Sequence, residues 1–176
     1  MYPWIRLGTE LARHRRAAPL AVGDWHVTSL RVLPVDIDPW GELNNGRALT
    51  LFDLGRVVLF ARSGFLPVMR RRRWSGSIAG TSIRYRRRLT LGQRVEMRAR
   101  ILGWDDRFSY AEQSFWRADG ECAAHALLRM AVAAKGGIVP REAQEAAFGL
   151  DPSPPLPGWV RAWIAADAER PWPPGR

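Results

Sequence analysis

The chain has 176 residues, 47% of them hydrophobic, which is enough for one domain with a substantial core and too little for two of ordinary size. A single cysteine, Cys122, excludes a disulfide framework. Three scattered histidines, His14, His26 and His125, lie at no metal-ligand spacing, so neither a metal nor any other cofactor is expected. The formal charge is +10, with 27 basic side chains of which all but Lys135 are arginine. Such a charge favours phosphate-rich small molecules, anionic membrane surfaces or nucleic acid, and a base composition rich in arginine codons would produce the same excess.

Residues 1–24 form an N-terminal amphipathic segment in which Trp4, Ile5, Leu7 and Leu11 recur at near-helical spacing before the basic run Arg13-His14-Arg15-Arg16. Such a helix either packs on the domain's own surface or makes a weak contact with an anionic membrane. No apolar secretory leader is visible, and no window approaches the roughly 18 apolar residues of a membrane span, so the expected location is the cytoplasm. The folded domain is expected over 25–150, beginning with a strand over Trp25–Pro34.

Asp36 to Asn45 consists of turn formers and cannot be a regular element. The next stretch, 46–63, is apolar around almost its whole circumference, which demands a helix buried on nearly every side. Asn44 or Asn45 supplies its N-cap, and Gly64 with Pro67 its stop. Period-two alternation then predicts strands over Ser77–Leu89, Gln93–Leu102, Phe108–Arg117 and Glu121–Ala134. Turns at Leu91-Gly92, Trp104-Asp105-Asp106 and Asp119-Gly120 suggest an antiparallel meander. A short helix over 139–149, a proline-rich linker over 151–157, a last helix over 158–169 and a frayed Pro171-to-Arg176 tail complete the chain. A sheet that curls round one buried helix is an α+β hot-dog fold.

Candidate chemistry concentrates before the buried helix. A helix N-terminus offers unpaired amide N–H groups and a positive dipole end, suited to the oxyanion formed when a thioester carbonyl is attacked. Asp36 or Asp38 could supply the acid chemistry, and both could equally be turn and capping residues. Asp53 stands three residues before Arg56, the spacing of an intrahelical ion pair. Ser77 and Thr81 share a strand face and could orient a water, or be ordinary sheet residues. His125, in an apolar strand, reads as a satisfied core histidine. Arg84, Arg86 and Arg88 share one face at period two, where they could hold phosphates or simply form a solvated rim, as could Arg70–Arg73.

The run Asp36-Ile37-Asp38-Pro39-Trp40-Gly41-Glu42-Leu43-Asn44-Asn45-Gly46-Arg47, with Leu49-Thr50-Leu51-Phe52-Asp53-Leu54-Gly55-Arg56 and Ala61-Arg62-Ser63-Gly64, resembles a bacterial thioesterase-like family. That family is related to thioesterase superfamily member six and has the 4-hydroxybenzoyl-CoA thioesterase type of hot-dog fold. The resemblance extends to Met1-Tyr2-Pro3, Ile83-Arg84-Tyr85-Arg86-Arg87, Leu102-Gly103-Trp104-Asp105-Asp106 and Pro154-Pro155-Leu156-Pro157. It implies an acyl-CoA thioesterase in which Asp38 matches the catalytic aspartate and Asn45 the residue whose backbone N–H polarises the thioester carbonyl. Asn44 caps the helix, and Asp53 matches a second branch of hot-dog enzymes that carries its acid there. The sequence departs from the family at Glu42, which stands where a neutral residue is usual, and at Ala48, which replaces a tyrosine.

The resemblance implies an acyl-CoA or acyl-carrier substrate bound with help from Thr81, Ser77, Arg84 and Arg86. It also implies a homodimer or dimer of dimers with a continued sheet. The alternative is a non-catalytic hot-dog protein that binds acyl groups or membrane. Nucleic acid ranks last, because no aromatic-basic reader motif accompanies the arginines.

Overall fold

The computed structural model describes residues 2–174. Helix α1 (Trp4–His14) precedes strand β1 (His26–Arg31), and a 3-10 turn (Pro34–Asp36) leads into the central helix α2 (Asn45–Arg62). After α3 (Phe65–Arg72) come β2 (Ser75–Tyr85), β3 (Arg94–Trp104), β4 (Ser109–Trp116), β5 (Cys122–Ala134) and β6 (Gly137–Ile138), then α4 (Arg141–Phe148) and α5 (Gly158–Ala168). This is the α+β hot-dog fold. The terminal Gly175-Arg176 and Met1 of the expected motifs lie outside the described residues.

All pairings are antiparallel, in the order β1-β3-β4-β5-β2, with β6 on β5. The expected meander therefore holds only for β3-β4-β5. Strand β2 pairs with β5 at the far edge, and residues 86–93 cross beneath the start of α2 to reach β3. Leu43 N–H donates to Leu89 O at 2.7 Å in that crossing, which ties it to the loop before α2. Eight residues reach at most about 28 Å, and three strand spacings need only about 14 Å, so a short connection did not require adjacent strands.

Helix α2 lies on the concave face. Its Leu51, Phe52, Leu54 and Val58 are buried, and Phe52 stacks on Phe115 of β4 with ring centroids 4.1 Å apart. The sheet makes room with small residues: Ala99, Ala111, Ala124 and Ala126 are all buried. On the convex face, α5 covers Leu102, Tyr110 and Leu127 with Val160, Trp163 and Ile164. Strand β3 therefore alternates buried and half-exposed residues to Arg100, then is buried continuously from Ile101 to Trp104.

Three local expectations change. Arg70–Arg72 end a third helix, α3, which Arg73 closes in the left-handed conformation at φ 56°. Helix α1 does pack on the domain, but Arg6, Glu10 and His14 point inward while Trp4 and Ile5 face solvent. His125 is not a core residue: period two turns it to the convex face, half-exposed, where Nε2 lies 2.7 Å from Glu112.

Candidate active site around the start of the central helix

The α2 N-terminus is capped by Asn44, whose Oδ1 accepts from Gly46 N at 2.9 Å and Arg47 N at 3.1 Å. Ala48 N donates to Asn44 O. Among the described residues nothing accepts from the Asn45 N–H, which leaves one helix-end donor free on an exposed turn. The Asn45 carbonyl accepts from the Tyr85 hydroxyl at 3.1 Å, which ties the following Asn45–Gly46 peptide to the end of β2.

The two aspartates of the preceding loop have different surroundings. Asp36 is fully buried and holds Arg6 at 2.7 Å, Arg47 at 2.8 Å and Leu33 N–H at 3.0 Å. Burial alone would raise its carboxyl. The Leu33 N–H and the Arg47 and Arg6 guanidinium groups outweigh that effect and hold it below the usual carboxylate range. Its role is structural: it ties α1 to the start of α2. Asp38 is half-buried, and its Oδ1 accepts from Trp40 N at 2.9 Å and Glu42 N at 3.3 Å. Gly41, at φ +77°, completes this turn. The Asp38 Oδ2 has no partner among the described residues and is free to meet another group.

Beside the helix start lies a depression of about 330 Å³ bordered by Asn45, Tyr85, Arg86, Arg87 and Arg88, with Glu42 on its rim. Arg88 pairs with Glu42 at 3.2 Å, so the negative charge that departs from the family pattern is answered locally. Strand β2 ends at Tyr85, and Arg86 and Arg88 border this depression. Arg86 also joins Arg84, which lies opposite His125, around a separate depression that includes Glu112.

Asp53 stands about two turns further along α2, at the wall of a second, mostly apolar cavity of about 230 Å³. Phe60, Met69, Ile101, Met130 and Phe148 contribute to its lining. Asp53 pairs with Arg56, as its spacing implies, and its other oxygen accepts from the Tyr2 hydroxyl at 2.5 Å. Burial and the Asp53 carboxylate both push the Tyr2 phenol upward, so Tyr2 stays a donor. Arg56 in turn donates to Gln113 Oε1 at 2.8 Å, and Gln113 donates to Phe52 O at 2.7 Å.

Ser77 lines this second cavity and Thr81 does not. Their expected shared face is lost at a bulge between Ile78 and Gly80, after which Thr81 opposes Leu128 whereas Ser77 opposes Ala131. One extra residue inverts the alternation. Tyr2, Tyr85 and Gln113 were invisible as site residues in the sequence, since each acts through a partner 40 or more residues away. No group of three or more His, Cys, Asp or Glu among the described residues could hold a metal.

Comparison with known proteins agrees with this architecture. "Protein THEM6" of Xenopus laevis is 43% identical over 90 residues, which are 51% of this chain and 44% of that protein. The matched stretch thus spans about half the length of such relatives or less. The YbaW probable thioesterase of Escherichia coli superposes with TM-score 0.63 at 18% identity, over 69% of this chain and 94% of that one. A DHNA-CoA thioesterase from Staphylococcus aureus superposes with TM-score 0.62 at 13% identity, over 81% and 95%. The profile of the thioesterase-like superfamily matches residues 32–164, most of the chain, and the protein belongs to that superfamily.

Proposed function

We propose that the protein hydrolyses an acyl-CoA or acyl-carrier thioester, with Asp38 as nucleophile or general base and the Asn45 N–H as oxyanion donor. The observation that carries this reading is the free Asn45 N–H at a capped helix start, reached through a loop whose Asp38 carboxylate keeps one unengaged oxygen. As the carbonyl is attacked, negative charge develops on its oxygen, and a fixed N–H at a positive helix end lowers the energy of that charge more than that of the neutral carbonyl. Arg86, Arg87 and Arg88 border the same depression and suit the phosphates of a coenzyme A or carrier arm. Pairing of two copies along the edge strand β2 would cover its unpaired backbone groups and let the site draw on both chains. The expected assembly is therefore a homodimer or dimer of dimers, with the cytoplasm as its location.

A second reading is favoured by one observation: Asp53, not Asp38, lines the apolar cavity suited to an acyl chain. Here Asp53 would be the acid and Arg56 its positioning partner. A panel of short, long and aromatic acyl-CoA esters, with free thiol as readout, separates the two. Under the first reading Asp38→Asn retains fold and binding while turnover falls by about 10² to 10⁴. Asp53→Asn keeps turnover within several-fold and shows its cost in stability instead, because it removes the counter-charge of the buried Arg56. The reverse pattern assigns the chemistry to Asp53. No activity of the parent on any thioester leaves a hot-dog protein that binds acyl groups without cleaving them.

A further inference from the structure

Helix α1 is turned against the usual rule of burial. Its inward side is polar: Arg6 reaches Asp36, Glu10 is buried and accepts from the Thr28 hydroxyl at 2.7 Å, and His14 Nε2 lies 3.2 Å from the same hydroxyl. Leu7 packs at the edge of the main core. The outward side carries Trp4, 70% exposed, and Ile5, 87% exposed, followed by Gly8 and Ala12. At about 100° per residue, positions 4, 5, 8 and 12 share one arc roughly a quarter of the circumference wide. Arg15 and Arg16 follow the last turn, both exposed, and no ion pair among the described residues engages either.

Independently of any thioester chemistry, we propose that this face of α1 is an interfacial surface that lies in the headgroup region of an anionic phospholipid bilayer. Trp4 and Ile5 insert, Gly8 and Ala12 permit close approach, and Arg15 and Arg16 meet the lipid phosphates. The charge distribution selects this occupant. The sole acidic residue of the helix, Glu10, is turned inward, so the exposed face offers no negative group to repel an anionic surface. The chain as a whole carries +10, which adds long-range attraction to the same surface. An exposed tryptophan beside an aliphatic residue and a pair of arginines matches what the water–lipid boundary favours: an amphipathic ring, an apolar anchor and headgroup-level cations. The ion pair of Arg6 with Asp36 and the burial of Glu10 hold the helix in this orientation on the domain, so the face is presented ready-formed.

The test is co-sedimentation of the full chain with large vesicles of phosphatidylcholine, with and without about 30% phosphatidylglycerol. The protein is expected to bind the anionic vesicles and, weakly or not at all, the zwitterionic ones, with binding falling as salt rises. Trp4→Ser/Ile5→Ser should lower the partition coefficient roughly 10- to 100-fold. Arg15→Gln/Arg16→Gln should lower it by about fivefold per charge. All four residues are exposed, so thermal unfolding of the variants should match the parent. Failure of the parent to sediment with anionic vesicles overturns the proposal, and so does binding that the Trp4/Ile5 pair leaves unchanged, since that would be diffuse attraction to arginines elsewhere. If sedimentation velocity without lipid finds that Trp4→Ser/Ile5→Ser converts a larger species to a smaller one, the face pairs two copies and the membrane proposal falls.

Discussion

Asp36 and Asp38, two residues apart, show how neighbouring identical side chains diverge once their partners are fixed. Asp36 faces two guanidinium groups from sites 30 and 11 residues away. Asp36→Asn removes the counter-charge of Arg6 and Arg47, which are themselves only about a fifth exposed. The loss should be roughly 2–4 kcal/mol in urea unfolding, somewhat below that of a fully buried broken pair. Because the folded pKa of Asp36 lies below its unfolded value, its contribution is complete above about pH 4 and is lost as pH falls further. His26 acts in a higher window with a different cause. Burial first, then His14 and Arg62, lowers its pKa to about 4. Its Nδ1 lies 3.1 Å from Arg62 Nη1, which can only donate, so the folded protein holds His26 neutral. Between about pH 6.5 and 4 the unfolded chain takes up a proton that the folded one refuses, and stability falls by roughly 3 kcal/mol. His26→Asn should flatten unfolding free energy against pH across that window, while Asp36→Asn should alter it only below.

At the scale of elements, the C-terminal segment matters more than a proline-rich linker suggests. Gly103, at φ +145°, sits at a bulge in β3, and a Cβ there would stand 2.8 Å from Ser153 Oγ and 3.0 Å from Pro154 O. Ser153 Oγ accepts from Trp104 N at 2.8 Å, and Trp104 Nε1 donates to Glu145 Oε1 at 3.0 Å. The segment between α4 and α5 is thereby stitched across the end of β3. Gly103→Ala should destabilise by about 1–3 kcal/mol, through both backbone strain and displacement of the segment. Limited proteolysis should then cut within 151–157 faster than in the parent, and an unchanged rate would mean that the segment accommodates the methyl group. Helix α2 follows a simpler logic that was plain in the sequence. An 18-residue helix with apolar residues around it must be enclosed, and α2 is, with Asn44 as its cap. What the pattern could not convey was α3, because Phe65–Arg72 carries a proline in its first turn and ends in three arginines.

At the scale of the whole molecule, the sheet has two edge strands, β1 and the longer β2. Its 11 residues pair only with β5, and Ile78 and Tyr85 are exposed upon it. A long edge with apolar side chains is a template for pairing, and an antiparallel β2 of a second copy would cover it. Sedimentation at micromolar concentration should give a dimer of about 40 kDa, twice the 19.9 kDa chain, or a multiple of it. A monodisperse monomer would remove the basis for a site shared between copies.

The sequence by itself determined most of the strands and helices, α3 excepted, and where the central helix begins, and it drew attention to the entry loop before that helix. Those features rest on local causes: periodicity, capping and turn chemistry act between residues only a few positions apart. The tertiary structure decided the rest. It carried β2 across the sheet to β5, since a connection of eight residues fits more than one strand order. It separated Ser77 from Thr81 by a bulge between Ile78 and Gly80, and set Arg88 apart from Arg84 where β2 ends, with Arg86 between them bordering both depressions. It gave Asp36 its two arginines and Asp53 its tyrosine. It also turned Trp4 and Ile5 of α1 outward while Leu7 packs inward, because Arg6 and Glu10 found partners on the domain that a helix read alone could not reveal.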